Sequence, residues 1–489
     1  MITVENVSFR YGETREQCLR NISLHIQEGE CILLCGESGC GKTSLTRLIN
    51  GLIPHFYEGN FSGSVHVAGR NIADTMPEAL ARIVGSVFQN PRSQFFNLDT
   101  TGEIAFGCEN LGLPASEIRE RVWAAARELG IEALLDRDIF ALSGGEKQKI
   151  AVASAYAPGP DIFVFDEPSS NLDHAACLEL AALMKRLKAQ GKTLLIAEHR
   201  LYYLTGLFDR AIYLKSGEIR RDWPQKEFLA LSNKERADLG LRAVSLDSLA
   251  SKTENTARTN SAPTFTISGL AAGYKRGKSV LEDISFSAAP GEIIGIVGKN
   301  GQGKSTLARV LCGLHKEWSG SVVLKGKPLK SKERAGLCYL VMQESGYQLF
   351  TDSVENELLL SKSRKERPSD EKVNAILQSL WLSALRERHP MSLSGGEKQR
   401  TAIGTAMAHN AAVLIFDEPT SGLDFGNMRR VVDVLKQSAD DGKIVFVITH
   451  DFELLIRACT RVLMLDRGKI TSDSSLHAEN LSNVKEFFS

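Results

Sequence analysis

Two glycine-rich loops carry residue types that can hold a phosphate. Residues 36–43 read GESGCGKT and residues 298–305 read GKNGQGKS. Glycines let the backbone approach closely enough for N–H groups to point at an anion, while Lys42 and Lys304 add positive charge at the β- and γ-phosphates. An apolar strand-like run precedes each loop and a helical segment follows it, which is the context that such a loop requires. A chance match is a poor explanation for a pattern that occurs twice.

The phosphate contacts predicted for each loop involve its glycines, its lysine and the two hydroxyl residues that follow. They are Gly36, Gly39, Gly41, Lys42, Thr43 and Ser44 in the first loop, and Gly298, Gly301, Gly303, Lys304, Ser305 and Thr306 in the second. The hydroxyls of Thr43 and Ser305 are also predicted to ligate Mg²⁺.

A pair of acids ends an apolar run in each half of the chain. Asp166 and Glu167 follow the run IFVF, and Asp417 and Glu418 follow the run VLIF. Ligands gather at the carboxyl ends of parallel strands, where an acid pair is costly unless it has a role. We predict that the aspartates hold Mg²⁺, directly or through water, and that the glutamates orient and deprotonate the attacking water. The alternative is a strand end that meets solvent, which duplication at a fixed spacing makes a weak explanation.

A histidine follows the acid pair at the same distance in each half. His199 lies 32 residues after Glu167, and His450 lies 32 residues after Glu418. A single histidine at a strand end is usually a polar cap. Two at one offset predict a γ-phosphate sensor that donates a hydrogen bond to developing charge.

Two further pairs of residues give weaker signals. Gln89 and Gln343 each follow a short apolar run and could reach the metal or the water, although a surface glutamine is an equally good interpretation. Tyr11 and Tyr274 lie 31 and 30 residues before the loop lysines and could stack on an adenine ring. An exposed turn tyrosine is the simpler interpretation when position is the sole evidence.

A second candidate anion site occurs in each half. Residues 142–148 read LSGGEKQ, and residues 393–399 repeat the same seven letters. Ser143 and Glu146 have the spacing of a capping box, which predicts the start of a helix over residues 147–157. A helix start with two glycines exposes N–H groups to an anion. Because each half already has a phosphate loop, we predict that this second cradle serves the nucleotide of the other half.

The elements that position these residues alternate between apolar strands and helical stretches. This alternation predicts an α/β fold in which each half has a mostly parallel sheet with helices on its faces. Residues 2–9 alternate at period two, and residues 264–267 begin the second half in the same way. Both predict strands of a smaller antiparallel layer.

The motifs repeat along the chain and so define its domains. The two loop lysines are 262 residues apart, whereas the later motifs repeat 251 residues apart. We predict a first domain over residues 1–224, a linker over 225–263 and a second domain over 264–489. The linker begins with a helix-like segment and ends in a polar run, 251–261, whose composition predicts a flexible tether.

Composition limits the other function classes. The 59 Lys and Arg residues balance 59 Asp and Glu residues, so no broad basic surface for nucleic acid is expected. No apolar run approaches the roughly 18–20 residues that span a bilayer, and no signal peptide is evident. The nine scattered cysteines predict reduced thiols of a cytosolic protein rather than zinc ligands.

The combined motifs resemble the ATP-binding-cassette family, and the resemblance covers both domains. It implies ATP hydrolysis with Mg²⁺ by two domains that pair head to tail around two ATP molecules. One site would join Lys42, Thr43, Gln89, Asp166, Glu167 and His199 to Ser394, Gly395 and Gly396; the other would join Lys304, Ser305, Gln343, Asp417, Glu418 and His450 to Ser143, Gly144 and Gly145. Each site keeps its lysine, glutamate and histidine, so both are expected to hydrolyse ATP.

The segment after Gln89 resembles the ATPases of energy-coupling-factor importers, which take up vitamins and transition metals in prokaryotes. This implies a location at the cytoplasmic face of the membrane, reached through a transmembrane subunit and a substrate-binding membrane component. Phe95, Phe96, Leu349 and Phe350 would line grooves that receive cytoplasmic helices of that partner, with ordinary core residues as the alternative for each.

Other classes of tandem-cassette protein remain open. A fused monosaccharide-importer ATPase has a similar length but often has one degraded site. A translation factor acting on ribosomes is expected to have a longer, basic linker, whereas Lys226 to Arg258 contains six basic and five acidic residues. A DNA-repair ATPase would need zinc spacings or a coiled-coil insertion, and the sequence has neither.

Overall fold

The chain folds into two compact units, Met1–Val244 (unit 1) and Ser245–Ser489 (unit 2). The computed structural model describes residues 1–12, 17–246, 249, 262–275, 277–360, 367–476 and 484. The polar run 251–261, predicted to be a tether, lies outside the described residues. The domain bounds at residues 224 and 264 stay a prediction from the sequence.

Unit 1 contains ten strands and several helices among its described residues. The strands are β1 (Ile2–Tyr11), β2 (Leu19–Ile26), β3 (Cys31–Gly36), β4 (Gly59–Val67), β5 (Arg70–Asn71), β6 (Val84–Val87), β7 (Ile162–Asp166), β8 (Thr193–Ala197), β9 (Arg210–Lys215) and β10 (Glu218–Pro224). The α-helices are Lys42–Ile49, Leu52–His55, Pro77–Ala81, Thr100–Asn110, Ala115–Leu129, Gly144–Tyr156, His174–Ala189, Gln225–Ala230 and Asn233–Asp238.

Unit 2 repeats this order of strands. They are β11 (Phe265–Ala272), β12 (Leu281–Ala288), β13 (Ile293–Val297), β14 (Ser319–Leu324), β15 (Lys327–Pro328), β16 (Cys338–Val341), β17 (Val413–Asp417), β18 (Ile444–Ile448), β19 (Arg461–Asp466) and β20 (Lys469–Ser475). Its described α-helices are Lys304–Leu311, Ser331–Arg334, Val354–Leu359, Asp370–Ser379, Gly395–Ala408, Phe425–Asp440 and Phe452–Ala458.

Each unit has a central six-stranded sheet that is mostly parallel. The strand order is β10-β9-β3-β8-β7-β6 in unit 1 and β20-β19-β13-β18-β17-β16 in unit 2. In unit 1 five strands run parallel, and β10 pairs antiparallel with β9. The strands β3, β7 and β8 therefore end at the same edge of the sheet, which brings the predicted loop, acids and histidine together. The predicted α/β fold with a parallel sheet is confirmed.

The central strands are apolar on both faces because both faces are covered. Along β3, Leu33 and Cys35 belong to a core formed with the helices, whereas Ile32 and Leu34 belong to a second core formed with β1, β2 and β4. A strand buried on both sides has a continuous apolar run rather than an alternating one. This is why the phosphate loop follows a rigid strand.

The predicted antiparallel layer is also present in both units. Four strands pair in the order β2-β1-β4-β5 in unit 1 and β12-β11-β14-β15 in unit 2. The strands β1 and β11 alternate buried and more exposed residues, because one face of the layer packs on the core.

The structure differs from the prediction in the helix that follows Ser143. Ser143 is the N-cap, so the helix begins at Gly144 and ends at Tyr156, instead of covering residues 147–157. The two glycines thus form the first helical turn. The helix-like start of the predicted linker is the helix Gln225–Ala230, and Phe228 on it is fully buried in the core of unit 1. In the part of the chain that the structure describes, no helix combines the length and apolar character needed to cross a bilayer.

Candidate active site

The phosphate loops lie between a buried strand and the start of a helix in each unit. Gly41 and Gly303 are the N-caps of the helices Lys42–Ile49 and Lys304–Leu311, with φ of 107° and 102°. A Cβ atom on Gly41 would also lie 2.7 Å from the carbonyl oxygen of Cys18. Left-handed backbone and close packing together explain why glycine stands at this position.

The loop lysines are buried and point back into the loop. Lys42 Nζ donates to the carbonyl oxygens of Gly36 (3.0 Å) and Glu37 (3.1 Å), and Lys304 Nζ makes the equivalent bonds with Gly298 and Lys299. Lys42 is 4% exposed. The ammonium group is therefore held at the centre of the loop, beside the N–H groups at the helix start. Positive charge and backbone donors converge on one point, which suits an anion.

A hydroxyl and a buried carboxylate lie next to each loop. Thr43 Oγ1 donates to Asp166 Oδ1 at 3.0 Å, and Ser305 Oγ donates to Asp417 Oδ2 at 2.8 Å. Both aspartates end a central strand, as predicted. Burial raises the pKa of Asp166 to about 6, with the charge of neighbouring Glu167 adding to the effect, and burial also raises the pKa of Asp417.

These oxygen atoms fit a hard divalent cation. Mg²⁺ prefers carboxylate and hydroxyl oxygens and usually completes its shell with water and substrate phosphates. A buried carboxylate whose pKa is raised gains from a nearby positive charge. The described residues contain no cluster of three or more His, Cys, Asp or Glu side chains able to hold a metal by themselves.

The glutamates after the strands have an unusual backbone conformation. Glu167 has φ of 48° and Glu418 has φ of 52°, in the left-handed region that residues other than glycine rarely adopt. Each N–H donates to a carbonyl oxygen of the neighbouring central strand, Glu167 to Ala197 of β8 (2.8 Å) and Glu418 to Ile448 of β18 (2.9 Å). The sheet thereby holds a strained residue, at a cost of about 1–3 kcal/mol. Such strain is typical of functional positions.

The carboxylate of Glu167 meets two of the predicted site residues. Gln89 Nε2 donates to Glu167 Oε2 at 2.9 Å, and His199 Nε2 lies 3.3 Å from Glu167 Oε1. In unit 2, His450 Nε2 lies 3.6 Å from Glu418 Oε1 and 3.0 Å from Asn300 Oδ1 of the phosphate loop. The predicted acid and histidine are neighbours in both units.

The glutamines and tyrosines have the expected places in the fold. Gln89 follows β6, and Gln343 follows β16. Tyr11 shares a hydrogen bond with Ser44 (3.1 Å), and Tyr274 shares one with Thr306 (3.3 Å). The hydroxyls thus touch the start of each loop helix. Stacking on an adenine ring stays a prediction for both tyrosines.

The LSGGEKQ segments begin helices by the predicted capping box. Ser143 N donates to Glu146 Oε2 at 2.7 Å, and Glu146 N donates to Ser143 Oγ at 3.3 Å. Ser394 and Glu397 make the same pair of bonds. Among the described residues, Ser143 bonds within its own helix start and not with the phosphate loop of unit 1. Its predicted service to the other nucleotide stays a prediction.

The four apolar residues predicted to line partner grooves differ in exposure. Phe96 is 73% exposed and Phe350 is 78% exposed, while Phe95 is partly buried against the core. Leu349 is only 6% exposed, so the core interpretation holds for that residue. Phe350 also lines a cavity of about 500 Å³ in unit 2 with Tyr347 and Leu360.

Two structural features near the site were not predicted from the sequence. A Cβ atom on Gly240 would lie 2.7 Å from Cγ of Glu37, so the segment after the helix Asn233–Asp238 packs on the first phosphate loop. Arg47 donates to the Tyr11 hydroxyl at 3.0 Å and lies over the ring of Tyr57. No local sequence pattern indicates the first of these contacts. The second had one, since Arg47 and Arg309 keep the 262-residue spacing of the loops.

We expect Asp166→Asn to stabilise the chain above pH 6 when EDTA removes divalent cations. The folded pKa of Asp166 is raised from 3.8 to about 6, so folding is favoured by this proton at low pH and loses that stability as pH rises between these values. The loss is about 3 kcal/mol. Thermal unfolding at pH 4 and pH 7 measures it: the variant should match the wild type at pH 4 and exceed it at pH 7. Equal differences at both pH values would contradict this account.

Known proteins resemble this chain along both halves. A profile of the family described as ABC transporter matches residues 19–170 and 281–421. A Treponema denticola protein named as an ABC transporter ATP-binding protein is 50% identical over 478 residues, covering 97% of each chain. YkoD of Bacillus subtilis, named for HMP/thiamine import, is 35% identical over 509 aligned positions, covering 97% of this chain and 91% of that protein. A model of ribosome-bound archaeal Pelota and ABCE1 matches this chain with a TM-score of 0.68 and 23% identity. The match covers 99% of this chain and 80% of that chain and shows a likeness of fold alone.

Proposed function

Because the chain belongs to the ABC transporter family of ATP-binding proteins, which are ATPases, we propose that it is the energy-coupling ATPase of an importer of the energy-coupling-factor type. It hydrolyses ATP at two sites and drives a separate membrane subunit that takes up a micronutrient, a vitamin or a metal ion. The observation that carries the proposed hydrolysis at two sites is the duplicated arrangement of loop lysine, strand-end acids and histidine in both units.

In this proposal the site residues of unit 1 bind the phosphates, activate the water and stabilise the developing charge. Lys42 and the N–H groups of its loop bind the β- and γ-phosphates. Glu167 accepts a proton from the attacking water, Gln89 holds the glutamate carboxylate, and His199 donates a hydrogen bond to the terminal phosphate. Lys304, Glu418 and His450 do the same in unit 2.

Thr43 with Asp166, and Ser305 with Asp417, are the proposed Mg²⁺ ligands, together with Gln89 and Gln343. The 3.0 Å and 2.8 Å hydroxyl–carboxylate contacts already gather the hard oxygen atoms that this ion prefers. Mg²⁺, when bound, neutralises charge on the phosphates. The protein residues determine where the positive charge of the ion would lie.

We also propose that the LSGGEKQ segment of each unit completes the nucleotide site of the other. Both segments begin a helix with two glycines, so the N–H groups at each helix start can donate hydrogen bonds to an anion. Each unit would then bind the terminal phosphate of its partner's nucleotide. ATP binding would favour the paired state and hydrolysis would release it.

Two observations support an importer that works through a membrane partner. A relative with 35% identity over nearly the whole chain is named for HMP/thiamine import. Phe96 and Phe350 expose apolar rings at equivalent places in the two units, and Phe350 borders a cavity with an apolar lining. A cytoplasmic helix of a transmembrane subunit is the proposed occupant, and the protein would thus be held at the cytoplasmic face of the membrane.

The Phe96→Asp variant should lose transport and keep ATPase activity. Because Phe96 is 73% exposed, the change adds charge to a surface without opening the core. The test is copurification of the full chain with membrane proteins, followed by ATP-driven uptake of the copurified substrate class in proteoliposomes. Met76→Asp, at a residue that is 64% exposed outside this surface, is the matched control.

Two results would count against the importer proposal. Unchanged uptake with Phe96→Asp would remove Phe96 from the coupling surface. Copurification with ribosomal RNA instead of a membrane protein would favour the translation-factor alternative, for which the fold likeness to ABCE1 offers no more than a shared architecture.

A further inference from the structure

The residues on either side of the site histidine differ in charge between the units. His199 lies between Glu198 and Arg200, whereas His450 lies between Thr449 and Asp451. These positions correspond because the later motifs repeat at 251 residues. At the position after the histidine, unit 1 has a cation and unit 2 has an anion. The surrounding contacts show what each arrangement does.

Glu198 is a buried carboxylate that is fully occupied by donors. It is 2% exposed, and its Oε1 accepts from the N–H groups of His199 (2.8 Å) and Arg200 (3.0 Å). Its Oε2 accepts from the Tyr203 hydroxyl (2.9 Å) and from the N–H of Ser169 (3.3 Å). The last bond ties the histidine segment to the loop 169–173, which follows Glu167.

Arg200 binds carbonyl groups of the same loop. The guanidinium is 7% exposed, and its Nη1 donates to the carbonyl oxygens of Leu172 (2.8 Å) and Ser169 (3.3 Å). Asp173, the next residue, caps the helix His174–Ala189 by accepting from the N–H of Ala176 at 2.9 Å. Two charged side chains that flank His199 thus hold both the amide and the carbonyl groups of loop 169–173.

Unit 2 makes the corresponding connection with side-chain groups of different chemistry. Asp451 Oδ2 accepts from the hydroxyl of Thr420 at 2.8 Å, and Thr420 corresponds to Ser169. Asp451 Oδ1 also accepts from the N–H groups of Glu453 and Leu454, so that Asp451 caps the helix Phe452–Ala458. The loop after Glu418 is therefore held by a carboxylate–hydroxyl bond.

We propose that Arg200 is a positioning residue for ATP hydrolysis in unit 1, which fixes loop 169–173 and thereby the distance between Glu167 and His199. Asp451 does this task in unit 2 by a different bond. The proposal rests on the function proposed above, because it assigns Arg200 a task in the reaction of Glu167 and His199. In this proposal the turnover of the two ATP sites depends on different residues, Arg200 in unit 1 and Asp451 in unit 2.

The expected effect is on the rate and not on nucleotide binding. Glu167 and His199 are joined across a 3.3 Å contact, and the two charged ties connect the segments that carry them. The loop lysine and helix start, which bind phosphate, lie in a separate segment. A misplacement of about 1 Å at reacting groups can lower a rate by about 100-fold. Loss of Arg200 should therefore lower kcat and leave ATP affinity almost unchanged.

The test is the kcat of the full chain carrying Arg200→Ala, together with its affinity for the non-hydrolysable probe AMP-PNP. Turnover is measured in the Glu418→Gln background, in which unit 1 carries the reaction. If Glu418→Gln alone abolishes turnover, the two sites are coupled, and the total rate of the chain then also depends on unit 1. In that case Arg200→Ala is measured in the otherwise wild-type chain. We expect kcat to fall by about 10- to 100-fold, with AMP-PNP affinity within about twofold and partial recovery in Arg200→Lys, which keeps the charge. Arg220→Ala, at an exposed arginine of β10, is the control and should behave as wild type.

A transplant of the unit 2 chemistry separates positioning from damage to the fold. Arg200→Asp alone places a second carboxylate beside buried Glu198 and should abolish turnover. Adding Glu198→Thr restores the Thr-His-Asp order of unit 2 and leaves the Ser169 hydroxyl able to donate, so most of the activity should return. A double variant that folds but is no more active than Arg200→Asp overturns the proposal.

The remaining outcomes of these measurements also decide the matter. Wild-type kcat in Arg200→Ala, or a fall in AMP-PNP affinity that matches the fall in kcat, overturns the positioning role. If Glu167→Gln retains wild-type hydrolysis, the proposed reaction itself is wrong. If Glu167→Gln is inactive while Arg200→Ala is fully active, only the role of Arg200 is refuted.

Discussion

Glu167→Gln and Glu418→Gln should each slow ATP hydrolysis at their own site by about 10²–10⁴-fold and leave ATP bound there, because the amide cannot accept the proton of the attacking water. The shape of the side chain is kept, so the left-handed backbone at φ of 48° and 52° is undisturbed. Phosphate binding by Lys42 and Lys304 is also unaffected. Binding without hydrolysis is the expected signature of a lost base.

Radiolabelled ATP retained after gel filtration, measured with steady-state hydrolysis, tests this expectation. Each variant should retain labelled ATP where the wild type retains little. Glu179→Gln, at an exposed residue that pairs with Lys149 on the surface, is the matched control and should hydrolyse normally. Wild-type rates in both site variants would show that these glutamates are not the bases.

Lys42→Ala and Lys304→Ala should weaken ATP binding at their own sites by about 10- to 100-fold, which corresponds to the loss of one charged hydrogen bond. Each ammonium group donates to two carbonyl oxygens of its loop, so alanine removes both these bonds and the positive charge at the loop centre. Hydrolysis falls as a consequence of lost binding. This pattern is opposite to that of the glutamate variants.

Isothermal titration with AMP-PNP in the presence of Mg²⁺ measures the loss. The wild type should show two binding events, and each variant should lose one of them. Lys185→Ala, at an exposed lysine outside the loop, controls for the change in net charge. An unchanged affinity in either lysine variant would mean that the loop of that unit does not bind the phosphates.

The sequence predicts the central strands well because their burial leaves a direct pattern. The apolar run 31–35 that precedes the first phosphate loop lies within β3 (Cys31–Gly36). The acids fell at strand ends for the same reason, since a parallel strand covered on both faces must change abruptly to polar residues at the sheet edge. The repeat then located the second copy of every element.

Other features depend on tertiary contacts that leave no local pattern. The left-handed conformation of Glu167 is imposed by its bond to Ala197, which lies 30 positions further along the chain. Leu349 and Phe350 are adjacent apolar residues, yet one is buried and the other is 78% exposed. In an irregular segment no period distinguishes them. The start of the helix at Gly144 was missed because glycine is a poor helix former, although the N-cap serine sets the first turn.

Arg200 is an intermediate case, because its signal existed in the comparison of the two halves. Aligning them at the 251-residue offset places Arg200 against Asp451 and Glu198 against Thr449. A charge reversal beside an otherwise repeated histidine indicates a difference worth locating in space. Only the contacts with Ser169 and Leu172 then reveal what the difference does.

The backbone at Glu167 and Glu418 sets a limit on how this protein can be made more heat-resistant. Glycine would relax both positions, since it enters the left-handed region freely, and would raise the melting temperature while removing the proposed general bases. A screen that selects for thermal tolerance alone would therefore be drawn to these two positions and would return robust but inert variants. At these two positions, the substitution that relaxes the φ angle also removes the carboxylate.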